Sequence, residues 1–334
     1  MKIKVTHFMR RPNPDLFSME NVYSAVRSHL PTDIEVLVYN CRYGARGFWG
    51  RLYELLRIPF FKTTVNHVTG DFHYLTYLLP KSRTVLTIHD TVILDYGSGL
   101  KKWLVKLLWY YIPEKRSEII VCVSEFMKRR LSDHLKCNPN KIRVVYNPVS
   151  ELFSYKEVIK KDKPRILIVG TAFNKNVERT LEALEGIASE VSIIGPLSES
   201  QQAALKRFNI SYENHERLSL SQVAREYELS DLVVFASTYE GFGLPIIEAQ
   251  AVGRPVITSN IGPMPEVAGA GGCLVNPLDV ESIRGGVVKV LQDASYREAL
   301  VKAGLANVKR FAPHGVANAY AAIYRELARG ERPN

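Results

Sequence analysis

The sequence is poor in cysteine, has no long apolar run and contains no low-complexity tract. Its four cysteines, Cys41, Cys122, Cys137 and Cys273, are scattered, with no CxxC pair and no spacing typical of metal ligands. We therefore expect buried free thiols, a reducing compartment and no metal centre. No stretch approaches about 18 uninterrupted apolar residues, which excludes a membrane-spanning helix. The amino terminus lacks the apolar core of a signal peptide and predicts a strand instead.

Positive charge is in excess, and it is unevenly distributed. The 334 residues carry a formal charge of +10. Residues 1–150 contain 23 Lys/Arg against 12 Asp/Glu, whereas residues 151–334 contain 21 against 22. The first half is therefore expected to meet an anionic partner. Charge alone does not distinguish nucleic acid, a phosphorylated substrate and a membrane surface.

Short β-branched runs alternate with helical stretches in two sets of six. The predicted strands are Ile3–Val5, Ile34–Tyr39, His67–Thr69, Thr84–His89, Ile119–Ser124, Val144–Tyr146, Arg165–Gly170, Val191–Ile194, Ile210–Tyr212, Leu232–Ser237, Pro255–Thr258 and Cys273–Val275. Apolar strands alternating with helices predict parallel sheets covered on both faces. The charged segment 150–164 separates the sets. We expect an α/β protein of two Rossmann-like, doubly wound domains, 1–150 and 151–334, facing a cleft, with the last helix crossing back to the first domain.

The strongest motif follows the apolar strand near Leu232 and runs from Ser237 through Glu240-Gly-Phe-Gly-Leu-Pro245 to Glu248. Its glycines let the backbone approach a ligand closely, and Pro245 suits a helix start. The free N–H groups of that helix start suit a phosphate or sugar oxygens. Glu248, about one turn into the helix, could accept hydrogen bonds from a ribose diol. The alternative is that Glu248 is an ordinary first-turn acid.

A second motif runs from Ile166 through Gly170 to Lys175 and Asn176. The strand is predicted to end at Gly170, and Asn174 or Asn176 could cap the following helix. A cation at a helix start opposes the helix dipole, so Lys175 needs another reason to be there. Binding a diphosphate would supply one. The alternative is a solvated surface lysine.

With these motifs the chain resembles the retaining glycosyltransferases of family 4, which have the GT-B fold. The resemblance also includes Ser259–Val267, Leu274–Asp279, His67–Asp71, Thr87–Asp90, Val123–Lys128 and Val145–Pro148. It extends over nearly the whole chain and is looser in the first half.

The resemblance implies a nucleotide-sugar site in the second domain. By it, Glu248 would hold the ribose, Lys175 the diphosphate, and Glu240 would lie against the donor sugar. His89 would reach the cleft from the first domain, so His89, Glu240 and Lys175 are the catalytic candidates. The remaining donor-binding candidates are Gly170, Thr171, Arg217, Leu218, Gly241, Phe242, Gly243 and Leu244.

Two departures from the family pattern affect these expectations. Thr171 stands where many members carry an arginine, so more of the diphosphate's charge rests on Lys175. The stretch Met9–Asp15 replaces the usual Gly-Gly loop, so acceptor contacts there do not transfer. Arg10 and Arg11 could meet an anionic acceptor or be solvated. The other acceptor-side candidates are His67, Asp71 and Asp90.

Two aromatic and basic stretches lie in the first half, Gly99–Ile112 and Arg46–Lys62. Wound as a helix, the former places Leu100, Leu104, Leu107, Leu108 and Tyr111 on one face, opposite Lys102, Lys106, Trp109 and Tyr110. Such a pattern suits docking on an anionic membrane surface. The alternative is a core-facing helix with a solvated basic face.

The sequence therefore predicts a cytoplasmic enzyme, peripheral on the membrane. It would move a sugar from GDP-mannose or a UDP-sugar to a saccharide or lipid-linked acceptor in bacterial surface polysaccharide or glycolipid synthesis. No metal or other cofactor is expected, and no nucleic acid. The alternatives are a GT-B sugar-nucleotide epimerase or phosphorylase and, from another class, a nucleic-acid-binding protein that uses the basic half.

Overall fold

The computed structural model describes residues 2–11, 18–43, 47–96, 98–158 and 162–330. The chain divides into two compact units. The first comprises Met1–Pro148 together with Pro313–Asn334, and the second comprises Val149–Ala312.

The first unit is built on a parallel six-stranded sheet with the order β2-β1-β3-β4-β5-β6. Its strands are β1 (Ile3–Met9), β2 (Ile34–Asn40), β3 (Val65–Val68), β4 (Thr84–Ile88), β5 (Ile119–Cys122) and β6 (Ile142–Val144). Every residue of β3, β4 and β5 is buried. Such burial explains their apolar runs, because helices cover both faces of a parallel sheet.

Seven α-helices belong to the described part of the first unit. They are α1 (Ser18–Ser28), α2 (Phe48–Arg57), α3 (Val92–Tyr96), α4 (Gly99–Val105), α5 (Ile112–Arg116), α6 (Glu125–Leu135) and α14 (Pro313–Arg329). Short 3-10 helices cover Ile58–Phe60, His73–Leu78, Lys81–Arg83 and Pro139–Lys141. The last helix, α14, packs on this unit: Arg83 donates to the carbonyl of Ala328 at 2.8 Å, and Arg325 pairs with Asp33 at 2.7 Å.

The second unit repeats the architecture with the sheet order β12-β11-β10-β7-β8-β9. Its strands are β7 (Arg165–Val169), β8 (Glu190–Ile194), β9 (Tyr212–His215), β10 (Leu232–Phe235), β11 (Val256–Ser259) and β12 (Gly272–Val275). The helices are α7 (Val177–Ala183), α8 (Glu199–Arg207), α9 (Leu220–Leu229), α10 (Leu244–Val252), α11 (Met264–Ala268), α12 (Val280–Gln292) and α13 (Ala294–Asn307). One core cluster joins β7, β8 and β10 to α7, α8 and α12.

The twelve predicted strands are all present, and both sheets are parallel as expected. The largest displacement is in β9, which was predicted at Ile210–Tyr212 and lies at Tyr212–His215. This strand forms the edge of its sheet, and Tyr212, Glu213 and Asn214 are exposed. An apolar run is therefore a poor guide to its position.

The amphipathic segment Gly99–Ile112 differs from its prediction in two ways. A π-helix at Lys106–Tyr111 interrupts it, which shifts the pattern of faces expected for a regular α-helix. Leu100, Leu104 and Tyr111 are exposed, whereas Tyr110 from the opposite face is buried. The alternative of a core-facing apolar face is therefore wrong.

The four cysteines are free and buried, as predicted. Within the described ranges no helix is both long enough and apolar enough to span a bilayer.

Candidate functional site

The polar motifs of the second unit follow the carboxyl ends of β7 and β10, which are neighbours at the centre of the sheet. From β7 the chain continues to β8 on one side, whereas β10 leads to β11 on the other. Loops that diverge from two adjacent parallel strands leave a crevice between them, and ligands of doubly wound sheets bind in such crevices. The loops 170–176 and 236–243 therefore form the candidate site.

Lys175 is held inside this site. Gly170 has a positive φ of 87°, and a Cβ there would lie 3.0 Å from Lys175 Cε, so glycine makes room for the lysine. Lys175 Nζ donates to Glu240 Oε1 at 2.6 Å and lies 4.7 Å from the ring centre of Phe235. The lysine is thus paired with Glu240 and is not the solvated surface lysine of the alternative.

The predicted helix cap is different in the structure. Asn176 stands at the start of α7 but makes no side-chain cap hydrogen bond. Its amide donates to the carbonyls of Ala236 at 3.0 Å and Pro277 at 2.6 Å. Asn174 donates to the carbonyl of Tyr239 at 2.7 Å. Both asparagines therefore tie loops together and fix the position of Lys175 between them.

The segment from Gly241 to Leu244 leads into α10, which begins at Leu244. Gly243 has a φ of 104°, which favours glycine. The side chain of Phe242 is buried, and its ring lies 5.7 Å from that of Phe311. Phe242 can therefore offer a ligand its backbone but not its ring, and the first N–H groups of α10 carry the positive end of the helix dipole.

Glu248 lies on α10 and remains partly exposed. Tyr227, on α9, donates its hydroxyl to Glu248 Oε2 at 2.6 Å. Burial raises the pKa of Glu248 to about 7, against the opposing effects of the Tyr227 hydrogen bond and the Lys175 charge. This carboxyl group is therefore poised to gain or lose a proton near neutral pH, unlike an ordinary first-turn acid.

The other donor-side candidates border the same edge of the sheet. Thr171 donates its hydroxyl to the carbonyl of Pro196 at 2.6 Å, so it fastens the loop after β8. Arg217 and Leu218 lie between β9 and α9, and Arg217 is exposed with a φ of 54°. Thr171 follows β7, whereas Arg217 and Leu218 follow β9, and β8 separates these two strands in the sheet.

In the first unit, acceptor-side candidates gather at the carboxyl ends of β1, β3 and β4. His89 Nε2 lies 3.0 Å from the carbonyl oxygen of Thr69, and burial lowers the pKa of His89. Burial raises the pKa of Asp90, and the charge of exposed Asp71 acts on both groups. Arg10 forms a two-point ion pair with Glu20 at 2.9 and 3.0 Å. Its guanidinium is therefore engaged by Glu20, which is neither the acceptor contact nor the solvated state expected from the sequence.

His67 does not lie on this surface. It is fully buried, with Nδ1 2.7 Å from the Tyr324 hydroxyl and Nε2 2.7 Å from Thr87 Oγ1. Its position does not support the predicted contact with an acceptor. Arg11 is exposed, and Pro12–Asp15 of the same stretch fall outside the described residues.

Three residues of these sites were not predicted from the sequence: Tyr227, Phe235 and Glu20. Tyr227 is 21 residues from its partner Glu248, and no spacing rule connects residues of two helices so far apart. Phe235 looked like any apolar strand residue. In the described part of the chain, no cluster of three or more His, Cys, Asp or Glu side chains could hold a metal ion.

Two models of known families match the chain. Residues 149–306 match the model for glycosyl transferases group 1, and residues 2–151 match the model for glycosyltransferase family 4. The two matches meet close to the boundary between the two units.

Individual proteins are similar to the chain as well. An O-antigen chain mannosyltransferase B of Escherichia coli is 45% identical over 85 residues, which span 25% of this chain and 22% of that protein. An uncharacterized glycosyltransferase of Methanocaldococcus jannaschii is 26% identical over 73% of this chain and 68% of its own length. The crystal structure of Anabaena HepE in complex with UDP and glucose superposes with a TM-score of 0.74 at 12% identity, covering 97% of this chain and all of that one. The chain therefore belongs to glycosyltransferase family 4 and is a glycosyltransferase with the GT-B fold.

Proposed function

We propose that this glycosyltransferase moves mannose from GDP-mannose to a saccharide or lipid-linked acceptor, with retention of anomeric configuration, in the synthesis of bacterial surface polysaccharide or glycolipid. A UDP-sugar is the alternative donor. The observation that carries the proposal is the group of Lys175, Glu240 and Glu248 at the carboxyl edge of the second sheet.

The chemistry follows from what each group offers. Transfer of a glycosyl group leaves a nucleoside diphosphate whose negative charge grows as the sugar departs. Lys175 and the first N–H groups of α10 can stabilise that charge. Glu248 is an acceptor for the ribose hydroxyls. Glu240, which accepts a hydrogen bond from Lys175 at 2.6 Å, would exchange part of that contact for the donor sugar.

Support for mannose comes from the E. coli mannosyltransferase that shares 45% identity over 85 residues. Support for UDP as the alternative comes from HepE, whose crystal structure holds UDP and glucose. A screen that measures hydrolysis of GDP- and UDP-sugars separates the two, with GDP-mannose expected to be hydrolysed fastest.

Membrane docking belongs to the same proposal. Phe48, Trp49 and Phe60 are exposed on and beside α2, and Trp103 is exposed on α4. Arg51 lies 4.6 Å from the ring centre of Trp109, so α2 contacts the π-helix that follows α4. Exposed aromatic side chains on a unit with excess Lys/Arg suit the interface of an anionic membrane. We place the enzyme on the cytoplasmic face, where free thiols persist.

The first test is the melting temperature of the protein with UDP, GDP or TDP, and with oligonucleotides. A nucleoside diphosphate should raise it, and GDP most. Lys175→Ala and Glu248→Ala should each abolish the increase. Lys206→Ala and Glu199→Ala, both on exposed positions of α8, are the matched controls and should keep it. Stabilisation by oligonucleotides alone would favour the nucleic-acid alternative and contradict the proposal.

A further inference from the structure

A cavity of about 830 Å³ lies in the second unit, away from the candidate donor site. Pro164 and Leu232 line it at the amino ends of β7 and β10, and Pro255 lines it at the amino end of β11. The donor motifs follow the carboxyl ends of the same strands. The cavity and the donor loops are therefore at opposite edges of one sheet.

The shape and lining of the cavity suit a small molecule with an apolar body. Its volume falls within the range of about 300–1,000 Å³ that is usual for ligand pockets. One face of α13 forms a wall, with Val301 and Leu305 a turn apart, and Leu232 and Leu291 add further apolar surface. On another side the ring of Tyr155 lies against Gly253, where an added Cβ would be 2.6 Å from the ring. Apolar walls of this extent favour an apolar occupant over water.

The charged residues of the lining are mostly basic. The five basic ones are Lys156, Arg254, Arg297, Lys302 and Lys309, against the acidic Asp231 and Glu298. The unit as a whole has 18 Lys/Arg and 20 Asp/Glu, so the local excess is not a property of the entire unit. Within the described residues, none of the five forms an ion pair with a carboxylate.

Arg254 shows most clearly that this charge is unbalanced. Its side chain is 1% exposed, and its guanidinium donates to backbone carbonyls, among them those of Lys156 at 2.7 Å and Glu228 at 2.9 Å. Its buried Nε has no hydrogen-bond partner among the described residues. The charges of Asp231 and Glu228 also act on Arg254, but neither carboxylate forms an ion pair with it. A buried cation whose hydrogen bonds all go to backbone carbonyls favours a nearby anion.

From these observations we propose that the cavity binds an anionic amphiphile, with its apolar chain along α13 and its phosphate-like head at Arg297, Lys302 and Lys309. The apolar wall selects the chain, and the basic groups select the head. Of these groups Arg297 also donates to the carbonyls of Val290 at 2.9 Å and Leu291 at 3.1 Å, but none has a carboxylate partner among the described residues. Two sources share this chemistry, an alkyl phosphate of the phospholipid kind and an isoprenyl phosphate.

Isothermal titration calorimetry with dodecyl phosphate, farnesyl phosphate and inorganic phosphate tests the proposal on the full chain. Dodecyl phosphate and farnesyl phosphate should each bind, one per chain, and inorganic phosphate alone should not. The tighter binder identifies the source. Neither should be displaced by GDP or UDP, because the donor loops are at the other edge of the sheet. Displacement of the alkyl or isoprenyl phosphate by a nucleotide would overturn this proposal but would not contradict the proposed donor site.

Two variants of the wall sharpen the test. Ala306→Trp, at an exposed position, fills the space, and Lys302→Glu reverses the charge; each should weaken binding by about tenfold or more. Lys206→Glu on α8 is the matched charge control and should change affinity by less than about twofold. Melting temperatures close to the wild-type value would show that the variants are folded. Binding with unchanged affinity in both wall variants would show that the amphiphile does not occupy this cavity and would refute the proposal, as would the absence of binding.

Discussion

At the scale of single residues, the carboxyl group of Glu248 is held by the hydroxyl of Tyr227 at 2.6 Å. The hydrogen bond favours the ionised carboxylate and so opposes burial, which raises the pKa of Glu248 to about 7. An ionised carboxylate accepts hydrogen bonds from ribose hydroxyls more strongly than a neutral acid does. Nucleotide binding should therefore strengthen as the pH rises through about 7.

Replacing Tyr227 by phenylalanine should move this pH dependence upward. Without the hydrogen bond the pKa of Glu248 rises further, so the carboxyl is mostly neutral at pH 7 and the affinity for GDP or UDP falls by about tenfold there. The difference in nucleotide affinity between Tyr227→Phe and the wild type should narrow towards about pH 9, where Glu248 is ionised in both proteins. Calorimetric titrations with GDP or UDP across this pH range measure the affinities.

The matched control is Tyr212→Phe, at an exposed tyrosine of the same unit. It should leave the pH profile unchanged. An equal loss of affinity at every pH for Tyr227→Phe would mean that the hydroxyl only supports packing, against this prediction.

At the scale of elements, α14 docks on the first sheet through a buried polar network. The Tyr324 hydroxyl lies 2.9 Å from His7 Nε2 and 2.7 Å from His67 Nδ1. Burial lowers the pKa of His7 to about 3 and lowers that of His67 as well. Both rings therefore favour the neutral form in the folded protein in mild acid, where histidines of the unfolded chain, with a pKa of about 6.5, bind protons.

The first unit should consequently lose stability in mild acid. Because the unfolded state binds more protons below about pH 6.5, the free energy of unfolding falls as the pH drops towards the folded pKa values. At pH 5 the loss from His7 should be about 2 kcal/mol, and His67 should add to it in the same direction. Urea unfolding followed by circular dichroism at several pH values gives the slope.

Variants identify which histidines cause the loss of stability in mild acid. His67→Gln removes one titrating group and should reduce the slope, although it also lowers stability at neutral pH. His314→Gln, at an exposed position of the same helix α14, should leave the slope unchanged. A wild-type free energy of unfolding that does not change between about pH 7.5 and 5 would contradict the prediction.

At the scale of the whole molecule, the uneven charge is informative. The excess of Lys/Arg belongs to residues 1–150, and the exposed aromatic side chains on α2 and α4 belong to the same unit. The second unit holds the donor loops and carries slightly more acidic than basic residues. The proposed contact with an anionic surface is therefore expected on the first unit.

Vesicle binding tests this at the same scale. Sedimentation with vesicles that contain anionic lipid should capture the protein at low ionic strength and release most of it at about 1 M salt, where surface charges are screened. Trp49→Ala combined with Phe60→Ala should weaken capture, because both side chains are exposed on the unit with excess Lys/Arg. Leu278→Ala, at an exposed leucine of the second unit, should not. Capture that is independent of salt and of these aromatic residues would refute the role of this surface.

Much of the fold, and the motifs of the candidate donor site, followed from sequence, because local patterns encode them. Strands covered on both faces are continuously apolar, so most were placed closely, whereas the edge strands β6 and β9 each share only one residue with their predicted ranges. Gly170, Lys175, Glu240 and Glu248 stand in short motifs whose glycines and helix starts have a direct physical purpose. The parallel sheets then bring those motifs to one edge.

Tertiary structure alone decided the partners of these residues. The pairing of Glu248 with Tyr227, the burial of His67 beneath α14 and the π-helix that turns Tyr110 inward all join residues without a fixed spacing in sequence. Burial also raises the pKa of Glu248 to about 7, which composition cannot reveal. The sequence by itself determined the class of fold and the positions of the donor motifs, since both depend on local periodicity. The environment of each group came only from packing, because desolvation and hydrogen bonding depend on neighbours that the chain brings together from afar.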